Sequence, residues 1–273
     1  MPELPEVETV CRGLSKKLLN LNVLKVKTFD EKLRYNISKN IEKYLIHNKV
    51  KAIIRRGKNG IIVFSGNYNL HFHLGMTGKF LITKSYYKKK KHDHFLIKFD
   101  KNVLLIYNDV RKFGYVELIK KPLDIVSFRG IGLEPFLCKS FEKELFSKVC
   151  KKERSIKDIL LDQNYICGIG NIYASEILFR SRISPFKLGK DLCGKEFNTL
   201  LSSIEYILNK AIKKGGSSIK NYKNIDEALG YFQIEFKVYN KEDMVCYQCD
   251  NLIAKRKQSG RSTFFCKSCQ PIH

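Results

Sequence analysis

Residues 50–74 read VKAIIRRGKNGIIVFSGNYNLHFHL, and the punctuation of this stretch decides the first half of the chain. Three apolar-rich runs, Val50 to Arg55, Gly60 to Phe64 and Asn69 to Leu74, are separated by polar or glycine-bearing turns. Short runs at a spacing of about ten residues are the pattern of a β-sandwich or barrel. Five more follow the same rule: Val23 to Phe29, Phe80 to Thr83, Phe95 to Phe99, Val103 to Tyr107 and Tyr115 to Ile119. Ahead of them, Glu6 to Leu19 places Val7, Val10, Cys11, Leu14 and Leu18 at helical spacing, with Pro5 and two early glutamates as start signals.

Beyond Pro122 the period changes. Phe141 to Val149, Ser155 to Ile166, Asn171 to Arg182 and Phe197 to Lys214 read as helices, and a boundary is expected near Ser127 to Pro135. From Tyr222 onward the chain is rich in loops, and no internal repeat is evident.

The 273 residues carry 51 Lys+Arg against 27 Asp+Glu, a formal charge of +24, which favours a polyanionic partner. Lysine outnumbers arginine 40 to 11, the bias an AT-rich genome imposes on any protein, so charge alone does not decide the partner. The run Lys88 to Lys91 reads as a solvated loop. No apolar run approaches the roughly 20 residues of a membrane span, and the start lacks the basic and apolar regions of a signal peptide. A cytoplasmic protein is expected, in which nine cysteines imply reduced thiols or a metal.

Cys246-x2-Cys249 and Cys266-x2-Cys269, sixteen residues apart, have structural zinc spacing. Four thiolates close the coordination shell, so the ion is structural rather than catalytic. Between the knuckles, Lys255, Arg256 and Lys257 and then Gly260-Arg261-Ser262-Thr263 are expected on a metal-braced loop, a hairpin with a basic, hydroxyl-bearing tip suited to phosphate. Cys11, Cys138, Cys150, Cys167 and Cys193 show no paired spacing and read as packing residues.

A further signal is Gly168-Ile169-Gly170-Asn171 between two helical stretches. Its glycines permit a tight turn, Asn171 is expected to cap the following helix, and that helix start suits phosphate. No strand precedes it and a third glycine is missing, so it is not a dinucleotide fingerprint.

Four segments together carry a resemblance: Met1-Pro2-Glu3-Leu4-Pro5-Glu6-Val7-Glu8-Thr9, His73-Leu74-Gly75-Met76-Thr77-Gly78, Gly168 to Glu176, and the four-cysteine module with Gly260 to Thr263. In this order the chain resembles formamidopyrimidine-DNA glycosylases over essentially its whole length. The resemblance implies an α+β fold. An N-terminal helix plus β-sandwich catalytic domain would span 1–126 and a linker 127–135. A helical helix-two-turn-helix DNA-binding domain would span 136–222, and a lesion-capping loop with the zinc finger 223–273. It implies a monomer acting on double-stranded DNA with an oxidised base, one structural Zn2+, and association with the bacterial nucleoid.

The chemistry is consistent with the residues. A small second residue permits removal of Met1, and an α-amine with a pKa near ~8 is partly unprotonated at neutral pH. Such an amine at Pro2 can attack a nucleotide's C1′ and form an iminium, with Glu3 moving protons. By resemblance, Lys58 serves β-elimination and phosphate contact, and Arg261 serves δ-elimination. Met76, Arg111 and Phe113 would fill the gap left by an extruded nucleotide, Arg111 also reading the opposite cytosine. His92, Lys152, Asn171 and Lys157 match DNA-contacting positions. His71 and His73 share a strand face and are expected to touch phosphate or fill polar positions rather than bind metal.

Two departures bear on specificity. Val110 stands where the family carries proline, and Leu229 stands where proline is common before Gly230. One competing reading is an endonuclease VIII-like glycosylase for oxidised pyrimidines, against which Leu4, Met76 and Phe113 argue. The other is a catalytically silent zinc-finger relative, against which Pro2, Glu3 and Lys58 argue.

Overall fold

A computed structural model of the chain describes residues 1–29, 32–84, 87–121, 130–217 and 232–271. They group into two compact units, one from the described residues of 1–129 and 214–217, the other from 130–213 and 232–271. Residues 127–129 of the expected linker and the capping-loop position Leu229 lie outside the described residues.

In the first unit, helix α1 spans Leu4–Leu18. It starts two residues before the expected Glu6, because Glu3 and Glu6 form a reciprocal capping box in which the Glu3 amide donates to Glu6 Oε2 at 2.8 Å. The expected apolar face is the buried one: Val7, Val10, Cys11, Leu14 and Leu18. Burying a leucine such as Leu14 stabilises by about 1.5–3 kcal/mol. Arg55 Nε donates to Glu8 Oε2 at 2.7 Å, tying the helix to the neighbouring sheet.

Strands β1 (Val23–Thr28), β2 (Val50–Arg56), β3 (Asn59–Phe64), β4 (Tyr68–His73), β5 (Lys79–Lys84), β6 (Asp93–Phe99), β7 (Val103–Asn108) and β8 (Tyr115–Lys120) match the eight predicted runs to within two residues. They form two four-stranded antiparallel sheets, ordered β1-β6-β7-β5 and β2-β3-β4-β8. Val23, Phe95, Phe99 and Leu105 of one sheet share a single apolar cluster with Val50, Phe64, Leu70 and Val116 of the other, so the architecture is a sandwich, with α1 closing the same core. A short helix α2 (Ile41–Leu45) was not expected; it is one turn long and gives too little period to read.

The second unit holds α3 (Glu142–Val149), α4 (Ile156–Leu161), α5 (Asn171–Ser181) and α6 (Gly194–Lys213). Helix α4 is shorter than the expected Ser155 to Ile166: Ser155 is its N-cap, accepting from the Asp158 amide, and the chain turns away after Leu161. Gln163 fixes that turn, accepting from the Gly168 amide at 2.7 Å and donating to the Ile169 carbonyl at 2.9 Å. Strands β9 (Ile253–Gln258) and β10 (Arg261–Cys266) pair as a hairpin. Cys11, Cys138 and Cys167 are buried as packing residues should be, whereas Cys193 is exposed and Cys150 half-buried. Among the described residues, no helix is long and apolar enough to cross a membrane.

Candidate functional site

The N-terminus is fixed from below. Pro2 and Glu3 are buried while Met1 is 44% exposed. Glu6, also buried, accepts from the amides of Glu3 and Ser217 (2.7 Å) and from the Ser217 hydroxyl (2.9 Å). A carboxylate removed from water needs such donors, and these anchor the turn that presents Pro2.

Lys58 occupies the turn between β2 and β3 beside Gly57, whose φ is +56°. The next residue, Asn59, has its Oδ1 against His71 Nε2 and Tyr115 Oη, each at 3.1 Å. Both ring nitrogens of His71 face side-chain oxygens of the protein. Its Nδ1 faces Glu117 Oε1 at 2.7 Å, the cross-strand partner that the β4–β8 register supplies and the sequence alone does not show. His73 stacks on Tyr115, and its Nδ1 accepts from the Gly75 amide at 3.0 Å. Burial pushes its pKa down to about 4, helped by the charges of Lys58, His71 and Arg34, so near neutral pH its ring is uncharged.

Met76, Arg111 and Phe113 are brought together, all solvent-exposed, by a buried carboxylate. Asp109 accepts from the Thr77 hydroxyl, from the Arg111 amide at 3.2 Å and from the Gly114 amide at 2.8 Å. Its own amide donates to the His92 carbonyl at 3.0 Å, which places His92 at the base of the same loop. The Arg111 guanidinium lies 4.7 Å from the Phe113 ring centroid. The two loops touch through backbone: a β-carbon at Gly75 would sit 2.5 Å from Gly114 N, and one at Gly114 would sit 1.9 Å from Tyr107 Oη. At the Val110 departure the loop is held by the Asp109 clasp, and Val110 itself is exposed. The sequence assigns Asp109 no role, although it heads the Asp109 to Gly114 turn that carries Arg111 and Phe113.

The second unit corrects three expectations. Gly170, not Asn171, is the N-cap of α5; Asn171 is the first helical residue and its Nδ2 donates to the Ser262 carbonyl at 2.9 Å. Lys255, Arg256 and Lys257 lie on strand β9 rather than a loop, and Arg261 opens β10 with its side chain exposed. Lys157, matched to a DNA-contacting position, is only 1% exposed: its ammonium donates to the Ser262 carbonyl at 3.1 Å and to Thr263 Oγ1 at 2.7 Å. Helix α4 is too short to show its buried face in the sequence, and the partners at Ser262 and Thr263 are far along the chain. Lys152, in the turn before α4, is half-buried.

The four sulfurs of Cys246, Cys249, Cys266 and Cys269 lie within 4.8 Å of one another. Tetrahedral zinc with Zn–S bonds of about 2.3 Å asks for sulfurs roughly 3.8 Å apart. The Cys246–Cys269 and Cys249–Cys266 separations of 3.9 and 3.3 Å bracket that value. The cluster fits one structural zinc ion, and it is the only group of three or more candidate ligands among the described residues. Beneath it, Val238, Ile253 and Phe264 make a small apolar core with Phe179.

Comparison with known proteins follows the same division. Residues 1–116 match the formamidopyrimidine-DNA glycosylase N-terminal domain, 131–223 the formamidopyrimidine-DNA glycosylase H2TH domain, and 245–272 the zinc finger found in FPG and IleRS. The formamidopyrimidine-DNA glycosylases of Rickettsia bellii (strain OSU 85-389) and Rickettsia canadensis (strain McKiel) are 41% and 40% identical, each over 99% of both chains. Among solved structures, Lactococcus lactis Fpg in complex with DNA containing an abasic site superposes with a TM-score of 0.91 at 36% identity. MutM in complex with DNA containing carbocyclic 8-oxo-G does so with a TM-score of 0.90 at 37% identity. Both cover 99% of this chain and 100% of their own. Full-length identity at this level, with all three domain matches in the same order, means that the chain belongs to the formamidopyrimidine-DNA glycosylase family.

Proposed function

We propose that the chain is a bifunctional glycosylase and abasic-site lyase of base-excision repair, acting on double-stranded DNA that contains 8-oxoguanine or a formamidopyrimidine. Once Met1 is removed, the Pro2 nitrogen bonds to C1′ as the C1′–N bond breaks, its electron pair leaving with the base, which takes up a proton. The Pro2 nitrogen gives up its proton, and its lone pair then opens the sugar ring, leaving an iminium at C1′ and a hydroxyl at C4′; Glu3 moves these protons. Loss of a C2′ proton breaks the C3′–O bond and releases one phosphate end, with Lys58 as the proton-transfer group. Loss of the C4′ proton then breaks the C5′–O bond, assisted by Arg261.

The observation that carries this reading is the Asp109 clasp: a thioether, an aromatic ring and a guanidinium are held exposed on one rigid base. Met76 and Phe113 suit the stacking space an extruded nucleotide vacates, and Arg111 suits the edge of the base left opposite. His92, Lys152 and Asn171 are assigned to phosphate contacts, as a charge of +24 favours. Functionally, residues 1–126 carry Pro2, Glu3 and Lys58, 127–135 link, 136–222 bind DNA, and 223–273 cap the lesion and carry the finger with Arg261. The enzyme works in the bacterial cytoplasm on nucleoid DNA, as a monomer.

Borohydride trapping on lesion-bearing duplex tests the reading: Met1-processed protein is expected to cross-link through Pro2, and absence of a cross-link would overturn it. Pro2→Gly should keep DNA affinity and lose most of the lyase rate. An oligonucleotide panel separates the oxidised-pyrimidine alternative, which preference for thymine glycol over 8-oxoguanine opposite cytosine would establish.

A further inference from the structure

Two hydrogen-bonded paths converge on the residues next to Arg261. The Ser262 carbonyl accepts from Lys157 Nζ at 3.1 Å and from Asn171 Nδ2 at 2.9 Å. The neighbouring Thr263, fully buried, accepts from Lys157 Nζ at 2.7 Å and donates to Gln258 Oε1 at 3.1 Å. Gln258 Nε2 in turn donates to Ser155 Oγ at 2.7 Å and to the Pro185 carbonyl at 3.2 Å. Ser155 is the N-cap of α4 and also donates to Asp158 Oδ2 at 2.7 Å. Gln258 also pairs with Arg261 across the hairpin. The hairpin is thereby bolted to the first turns of α4 and α5 at the residue pair that follows Arg261.

A lysine in such a place is costly. Burial lowers its pKa to about 8, Arg261 adds to the fall, and Asp158 opposes it. An apolar residue would fill the space without that cost, but it could not hold a carbonyl and a hydroxyl at once.

We propose that Lys157 is a positioning residue that, through Ser262 and Thr263, sets where Arg261 stands for the second elimination, and that it does not contact DNA. This rests on the reading of Arg261 as the δ-elimination group. A misplacement of about 1 Å at a reacting group can cost on the order of 100-fold, so the effect should fall on that step alone.

The test uses full-length, zinc-loaded enzyme on an abasic-site duplex, with β- and δ-products resolved on a denaturing gel. Lys157→Met and Thr263→Val are expected to lower the δ:β product ratio by about tenfold or more. Both should retain one zinc per chain, and Thr263→Ser, which keeps the hydroxyl, should restore the ratio. Thr263→Val decides the matter if Lys157→Met fails to fold. A wild-type ratio in both variants overturns the proposal. So does a Lys157→Met defect spread over both steps with the salt dependence of DNA binding reduced by about one unit of slope, the mark of a lost phosphate contact. Arg261→Gln is the separate control: if it keeps the wild-type ratio, the underlying reading of Arg261 is what fails.

Discussion

The sandwich and the zinc finger each carry exposed side chains proposed to meet DNA, but they hold them by different means. In the sandwich, a continuous apolar core from two sheets and α1 supports loops that a single carboxylate, Asp109, clasps from beneath. In the finger the corresponding core is a handful of residues around Val238 and Phe264, and the remaining order comes from four thiolates and one buried ammonium. Small modules cannot bury enough surface to fix a side chain, so polar and metal bonds replace packing. The difference teaches where each part of the chemistry is vulnerable.

Metal removal should separate the two most sharply. Zinc binding to such modules is worth on the order of 10 kcal/mol, so chelation should abolish amide protection in β9 and β10. The strands β2 to β8 should stay protected, and their simultaneous loss would show that the two regions are not independently held. Next in size, Leu14→Ala should cost the sandwich about 2–5 kcal/mol in urea unfolding, because Leu14 is fully buried between helix and sheet. A cost below about 1 kcal/mol would mean that packing is not what supports α1.

Asp109→Ala is expected to cost about 1–3 kcal/mol, since two amides and a hydroxyl lose their acceptor. It should also weaken discrimination of lesion from undamaged duplex in binding assays, whereas an unchanged ratio would remove the clasp from recognition. The smallest effect is at Glu8. Burial raises its pKa, but Arg55 and Arg12 outweigh that and hold it below its ordinary value of 4.5. Its ion pairs therefore stabilise above that value, and the contribution disappears as pH falls through the lower folded pKa. Because the group is partly exposed, Glu8→Gln should cost less than about 1 kcal/mol near neutral pH. Wild type and variant should converge in acid melts, and a gap that persists there would show that the loss is not electrostatic.

The eight strands, α1 and the metal ligands were legible because each rests on a local period or spacing. Helix α5 was legible too, but its cap was misassigned, since Gly170 and Asn171 are both good capping residues and only the dihedrals separate them. What stayed hidden depends on partners far along the chain. Glu117 meets His71 only through the β4–β8 register, Ser217 meets Glu6 across more than two hundred residues, and Lys157 meets the hairpin through a helix too short to show a face. Of the site, the residue types were readable, and the carboxylates and amides that aim them were not.

The close packing of Gly75 and Gly114 bears on how this protein can evolve. Neither position has room for a single added carbon, whereas Val110 between them in the loop order points into solvent. Selection should therefore act on this surface unevenly: a saturation library scored for repair would tolerate only glycine at 75 and 114 and accept many residues at 110. The shape of the proposed DNA-reading surface is inherited through what is missing from it, so exposed positions that carry no assigned contact, such as Val110, can drift while Met76, Arg111 and Phe113 stay where the glycines set them.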